Sequence, residues 1–252
     1  MLSRQFLTGV RLSRALPEDS YVSSLPVVRH MRTMELLPLA PVTILVGENG
    51  VGKSTLLEAV AVAAGLNPEG GSTNFQFATA QTHSPLGQSL TLCRGIRRPK
   101  DGFFLRAESF YNVATHVDQL ARLPGGDRFL QRYGGQSLHA QSHGESFLSL
   151  VLNRFGPDGL YLLDEPEAAL SPMRQLTLLA ALHRLAGLGA QILLSTHSPI
   201  LMALPGALLY ELTDEGIQPV AWQQTQHYQI TRRFLEAPER MLAYLLDEQH
   251  AE

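Results

Sequence analysis

Residues 42–55 read Val42-Thr43-Ile44-Leu45-Val46-Gly47-Glu48-Asn49-Gly50-Val51-Gly52-Lys53-Ser54-Thr55, and LLEAVAVAA follows. The first five residues are short, apolar and largely β-branched, the pattern of a buried strand. Lys53–Ala64 is rich in Ala and Leu and reads as a helix, stopped by Gly65, Asn67 and Pro68. Between them, Gly47 to Ser54 fits G-x-x-x-x-G-K-[ST], and a strand before with a helix after is the context that pattern requires. Glycines at 47, 50 and 52 let the backbone N–H groups of Glu48, Asn49 and Val51 curl around a phosphate. The helix start adds unsatisfied donors and the positive end of its dipole. Lys53 supplies a point charge for β- and γ-phosphates, Ser54 a hydroxyl for Mg²⁺, and Thr55 stands beside it. A glycine-rich turn with no ligand is the plain alternative, but such a turn has no use for a lysine at this position.

Three further segments carry chemistry. Leu160-Tyr161-Leu162-Leu163-Asp164-Glu165 is an apolar strand that delivers two carboxylates to its C-terminal end, where ligands bind in open α/β sheets. Asp164 is placed to hold Mg²⁺ and Glu165 to polarise an attacking water. Residues 192–195 form another buried strand, and Thr196-His197-Ser198-Pro199 follows. Ser198 and Pro199 read as an N-cap and first helical residue, so His197 stands at a strand end in the row of Asp164. In Gln141-Ser142-His143-Gly144-Glu145-Ser146, Ser142 and Glu145 make a capping box for the next helix. Read locally, that capping role accounts for the segment.

Composition narrows the class. The chain has 252 residues, a net charge of −3, 44% hydrophobic and 17% charged residues. This is enough for one large α/β domain, and the charge argues against a chain-wide nucleic-acid surface. One cysteine, Cys93, excludes an intrachain disulfide and a cysteine-based zinc cluster. Of the 20 basic residues only Lys53 and Lys100 are lysines. Nothing resembles a secretory leader or an apolar run of about 18 residues, so a cytoplasmic chain is expected.

Along the chain, residues 5–14 read as an edge strand, 89–93 and 103–106 as strands joined by a basic turn, and 109–120 as a helix. Residues 124–135 read as a loop, 145–155 and 172–186 as helices, 207–212 and 217–222 as a closing hairpin, and 225–246 as two helical pieces split at Pro238. Strands in continuous apolar runs alternating with helices point to an α/β fold with a mainly parallel, covered sheet.

The order of these motifs resembles the ABC class of P-loop ATPases. Glu145 precedes Asp164 by 19 residues and His197 follows Glu165 by 32. Ser142, Gly144 and Glu145 match the serine, second glycine and final polar residue of the class signature L-S-G-G-Q, while Gln141 and His143 depart from it. DEPEAALSP and GENGVGKSTLLEA look more like the SMC, Rad50 and RecF-like branch than transporter subunits. The whole string over about residues 20–245, with NPEGGS and RRPKDGFFLRAESFYNVAT, resembles compact bacterial ABC-type ATPases often labelled AAA-family.

The resemblance implies a single ABC-type domain over 1–252, with an N-terminal antiparallel β portion and a helical signature subdomain inserted at about 95–155. It implies ATP and Mg²⁺, hydrolysis in a homodimer that sandwiches two nucleotides, and Ser142 with Gly144 acting on the partner's ATP. His197 would sense the γ-phosphate. Gln76, Gln81 or Gln88 would sense Mg²⁺, and Tyr21 could stack on adenine or be an ordinary surface tyrosine. Arg94, Arg97, Arg98 and Lys100 are a candidate protein or nucleic-acid contact, or simply a solvated turn. A transporter's ATP-binding subunit and a nucleic-acid processing or defence-associated switch are the alternative functions.

Overall fold

Along residues 42–47 every side chain is buried, and alternate residues point to opposite faces. Val42, Ile44 and Val46 enter one hydrophobic core and Leu45 the other. A strand packed on both faces needs layers above and below, and the computed structural model supplies them. It describes residues 5–14, 16, 20–72, 84–123 and 130–246.

The strands are β1 (Leu7–Leu12), β2 (Leu37–Pro38), β3 (Val42–Gly47), β4 (Leu90–Arg94), β5 (Asp101–Arg106), β6 (Gly159–Asp164), β7 (Gln191–Ser195), β8 (Leu208–Leu212) and β9 (Ile217–Pro219). The helices are α1 (Tyr21–Ser24), α2 (Pro26–Met31), α3 (Lys53–Ala64), α4 (Leu86–Ser89), α5 (Phe110–Ala121), α6 (His143–Arg154), α7 (Pro172–Gly187), α8 (Pro199–Met202), α9 (Gln226–Glu236) and α10 (Pro238–Leu246). The six-stranded sheet runs β5-β6-β7-β3-β8-β9. Its first five strands are parallel, and β9 closes it as an antiparallel hairpin with β8. A three-stranded antiparallel sheet, β2-β1-β4, lies over α3.

Helices α5, α6 and α7 bury one face of the large sheet, with Phe103, Leu105, Tyr161, Leu163, Ile192 and Leu194 beneath them. On the other face Leu162 and Leu193 meet Leu56, Leu57 and Val60 of α3, whose far side packs on Phe6, Val10 and Leu37. The fold is thus a P-loop α/β architecture with a mainly parallel sheet and an antiparallel portion. Two local expectations change. Residues 5–14 were expected at an edge, yet β1 is the middle strand of its sheet, because both its backbone edges find partners in β2 and β4. The basic turn joins strands of different sheets, since β5 pairs in parallel with β6. The helical part of the 95–155 segment therefore begins at Phe110.

The two sheets are tied by one buried amide. Gln191, 1% exposed, accepts from Phe6 N–H (3.0 Å) and Leu7 N–H (2.8 Å) and donates to Leu7 O (2.7 Å) and Ala40 O (3.1 Å). An apolar side chain there leaves several buried backbone groups without partners. Gln191→Leu is expected to destabilise the fold by about 3 kcal/mol, read as a lowered urea midpoint. An unchanged midpoint would show that the sheets dock without it.

Candidate active site

Parallel register sets the site. Arg106 pairs with Asp164, Asp164 with Ser195 and Ser195 with Leu45, so β5, β6 and β7 end at one level and β3 runs two residues further, to Gly47. The chain leaves β3 through Gly47 and reaches α3 through Gly52. Gly52 is left-handed (φ +99°), and a Cβ there would lie 2.4 Å from Val27 Cγ1. Val27 N–H donates to Val51 O (3.2 Å), fixing the loop from outside. No side chain caps the start of α3, so its first N–H groups remain available to an anion. Glu48, Asn49 and Gly50 are exposed at the loop tip, and Val51 is buried beneath it.

Lys53 is only 4% exposed. Its Nζ donates to Gly47 O and Glu48 O, each at 2.9 Å. Burial is the main influence and lowers its pKa, while the carboxylates of Glu165, Asp164 and Glu167 pull the other way. Ser54 shares an open cleft of about 440 Å³ with Arg106, Asp164, Glu165 and Ala169. Thr55 is half-buried one residue further along α3.

Asp164 is buried and needs partners. Its Oδ1 accepts from the Ser195 hydroxyl, and its Oδ2 lies 3.4 Å from Arg106 Nε. Arg106 also reaches Glu58 (2.8 Å) and Glu108 (3.7 Å). At Glu165 the backbone turns left-handed (φ 48°, ψ 50°), a conformation costing a non-glycine residue about 1–2 kcal/mol. Its N–H is held by Ser195 O at 3.1 Å. The kink ends β6 and turns the carboxylate toward His197, with Glu165 Oε1 3.4 Å from His197 Nε2.

His197 is fixed on two further sides. Its backbone N–H donates to Glu167 Oε1 (2.5 Å), and its Nδ1 lies 2.9 Å from His227 Nε2. Burial raises the pKa of Glu167, partly opposed by that backbone hydrogen bond. Ser142 and Gly144 lie elsewhere, at the start of α6. The capping box is formed, with Ser142 N–H donating to Glu145 Oε2 (3.2 Å). Arg174 crosses it, with a nitrogen 3.4 Å from Ser142 Oγ and another 2.8 Å from Glu145 Oε1. A Cβ on Gly144 would lie 2.7 Å from Ala169 O, so this helix start abuts the turn behind the cleft.

The expected residues thus form two groups: the phosphate loop with Ser54, Asp164, Glu165 and His197, and separately Ser142 with Gly144. Tyr21 is 66% exposed. Gln88 is exposed in α4, next to Gly87, which packs against Val62 of α3. Gln76 and Gln81 lie outside the described residues. The basic cluster is largely committed internally, because Arg97 and Lys100 both pair with Asp158 (2.5 and 2.8 Å). Arg94 and Arg98 remain exposed. Sequence reasoning placed Arg106 only with the basic contact cluster, and passed over Glu167, Arg174, Ser195 and His227. Only Ser195, at the end of a strand neighbouring Asp164, carried a positional signal.

A family model described as "AAA domain, putative AbiEii toxin, Type IV TA system" matches residues 142–203, the stretch from Ser142 through Asp164 and Glu165 to His197. The cytochrome c biogenesis ATP-binding export protein CcmA of Legionella pneumophila (strain Paris) is 27% identical over 170 residues, 65% of this chain and 82% of that protein. The cobalt import ATP-binding protein CbiO of Salmonella typhimurium (strain LT2) is 26% identical over 198 residues, covering 70% and 66%. In structure, cbiO1 of Clostridium perfringens, part of the ABC transporter complex cbiONQ, superposes with a TM-score of 0.51 at 14% identity over 96% of this chain and 99% of that one. With the phosphate loop, the paired carboxylates at the end of β6 and the histidine just after β7 in one row, the chain has the site layout of a P-loop ATPase and is similar in sequence to ABC-type ATP-binding proteins.

Proposed function

We propose that this chain binds ATP with Mg²⁺ and hydrolyses it within a sandwich of two copies, using the cycle as a switch or motor. The observation that carries the reading is the convergence of Ser54, Asp164 and Glu165 on one cleft with His197 behind Glu165. The hydroxyl of Ser54 and the carboxylate of Asp164 are hard oxygen donors, the set a divalent cation of this kind takes. When bound, Mg²⁺ supplies charge neutralisation on the phosphate oxygens. Loop N–H groups and Lys53 hold the phosphates, with Lys53 exchanging its two loop carbonyls for phosphate oxygens. Glu165 takes a proton from water as its oxygen attacks the γ-phosphorus and the bond to the ADP oxygen breaks. His197 presents a ring nitrogen on the same side. Ser142 is exposed at the start of α6, which suits a γ-phosphate held by the partner copy.

A second reading is favoured by the relatives: CcmA and CbiO are ATP-binding proteins of export and import. On that reading the chain energises a membrane partner. Among the described residues no helix is long and apolar enough to cross a membrane, so the partner would provide the spans.

Glu165→Gln is expected to bind ATP, release no phosphate and elute as a nucleotide-filled dimer. A persistent monomer that retains ATP would remove the sandwich and leave binding intact. Lys53→Ala is expected to lose nucleotide affinity by at least about thirtyfold, by titration with a fluorescent ATP analogue; unchanged affinity would overturn the phosphate-loop assignment. Because the folded state raises the pKa of Glu167, its protonated form stabilises the protein at acid pH, and that stability is lost as pH rises. Glu167→Gln keeps the acceptor for His197 N–H and stays neutral. It should be more stable than the parent at pH 8, with the gap closing toward pH 4.5, measured by urea midpoints. A gap independent of pH would contradict this.

A further inference from the structure

His227 is the second residue of α9. Its Nε2 and His197 Nδ1 stand 2.9 Å apart with ring centroids 5.0 Å apart. Two neutral imidazoles in this arrangement share a single proton, so one nitrogen donates and the other accepts. The far side of His197 decides which. Its Nε2 faces Glu165 Oε1 at 3.4 Å and is buried without a formed hydrogen bond. Were His197 the donor through Nδ1, its Nε2 would aim a lone pair at a carboxylate, a repulsive contact in a partly dry site. With His227 donating through Nε2–H, His197 carries its own proton on Nε2 and aims a donor at Glu165. We propose that His227 is a positioning residue that sets the tautomer of His197, holding an Nε2–H donor toward Glu165 and the adjoining phosphate side of the cleft. The role toward phosphate rests on the ATPase reading above; the tautomer itself does not.

The surroundings agree. Burial, with the cationic forms of His197 and Lys53 nearby, lowers the pKa of His227, and Glu211 and Glu48 oppose this. Glu165 and Glu167 face His197 from the other side. A neutral His227 that donates from Nε2 leaves Nδ1 bare, and Nδ1 is buried with no partner, where a proton would be an unpaired donor. The ring is not needed to seat α9. Thr225 caps that helix, its Oγ1 accepting from Tyr228 N–H (3.4 Å) and donating to Trp222 O (2.7 Å). Glu211 Oε1 accepts from Gln226 N–H (3.2 Å). Substituting His227 should therefore leave the helix in place.

The test uses the full chain labelled with ¹⁵N at histidine, with His197→Gln assigning the signals. Ring nitrogen spectra at pH 7.5 should show His197 protonated at Nε2 in the parent chain, and a shift toward the Nδ1–H form or a mixture in His227→Phe. In phosphate-release assays His227→Phe should lower kcat by about tenfold or more with KM for ATP within about twofold. His227→Gln, whose amide can donate to Nδ1, should restore kcat to within a few-fold of the parent. An Nδ1–H tautomer in the parent chain, or an unaltered His197 spectrum in His227→Phe, overturns the proposal. Failure of Gln to rescue kcat while Phe is impaired also overturns it. Absence of phosphate release from the parent, with the Nε2–H tautomer and its dependence on His227 intact, would remove the ATPase reading while supporting the tautomer assignment.

Discussion

The site depends on parallel strand register. Because β5, β6 and β7 end at one level beside β3, a guanidinium, a carboxylate and a hydroxyl meet next to the strand that leads into the glycine loop, although they come from positions between 45 and 195. Shifting any of these strands by one residue would send its terminal side chain to the opposite face. The two-faced core guards against this, since each inward residue of β3, β6 and β7 already belongs to α3 on one side or to α7 and its neighbours on the other. Packing that stabilises the domain and alignment that builds the site are therefore one constraint.

That alignment has local costs, met by neighbouring groups. Asp164 is buried and is balanced by the Ser195 hydroxyl and the Arg106 guanidinium, which Glu58 holds from α3. Glu165 bends into a left-handed conformation stabilised by Ser195 O. Buried Lys53 returns its charge to two loop carbonyls. Each of these contacts holds a reactive group in a defined place while leaving one face toward the cleft, a pattern of preorganisation.

The site also reaches elements far from it in sequence. Glu167, in the turn after β6, and His227, at the start of α9, fix His197 from two directions. Arg174 ties the start of α6 to α7. Helices α9 and α10 bury none of their side chains fully; α9, which carries His227, leaves Ile230 and Leu235 exposed, and α10 leaves Tyr244 and Leu245 exposed.

By itself the sequence determined the longer helices, most of the strands and the candidate residues for phosphate and metal, while the short elements α1, α2, α4 and β2 were not read from it. A buried strand, a glycine loop and a helix start are local matters of periodicity and backbone freedom, and Lys53, Ser54, Asp164 and Glu165 are readable because chemistry demands those residue types at those offsets. Tertiary structure decided what depends on contacts across the chain. It placed β1 at the centre of its sheet. It committed Arg97 and Lys100 to Asp158, and it brought Arg106, Glu167 and His227 to the site. No periodicity marks an arginine that will stand beside an aspartate 58 positions away, or a histidine that will meet another across 30. Such pairs arise when packing brings distant charged and polar groups out of water together, where each must find a partner.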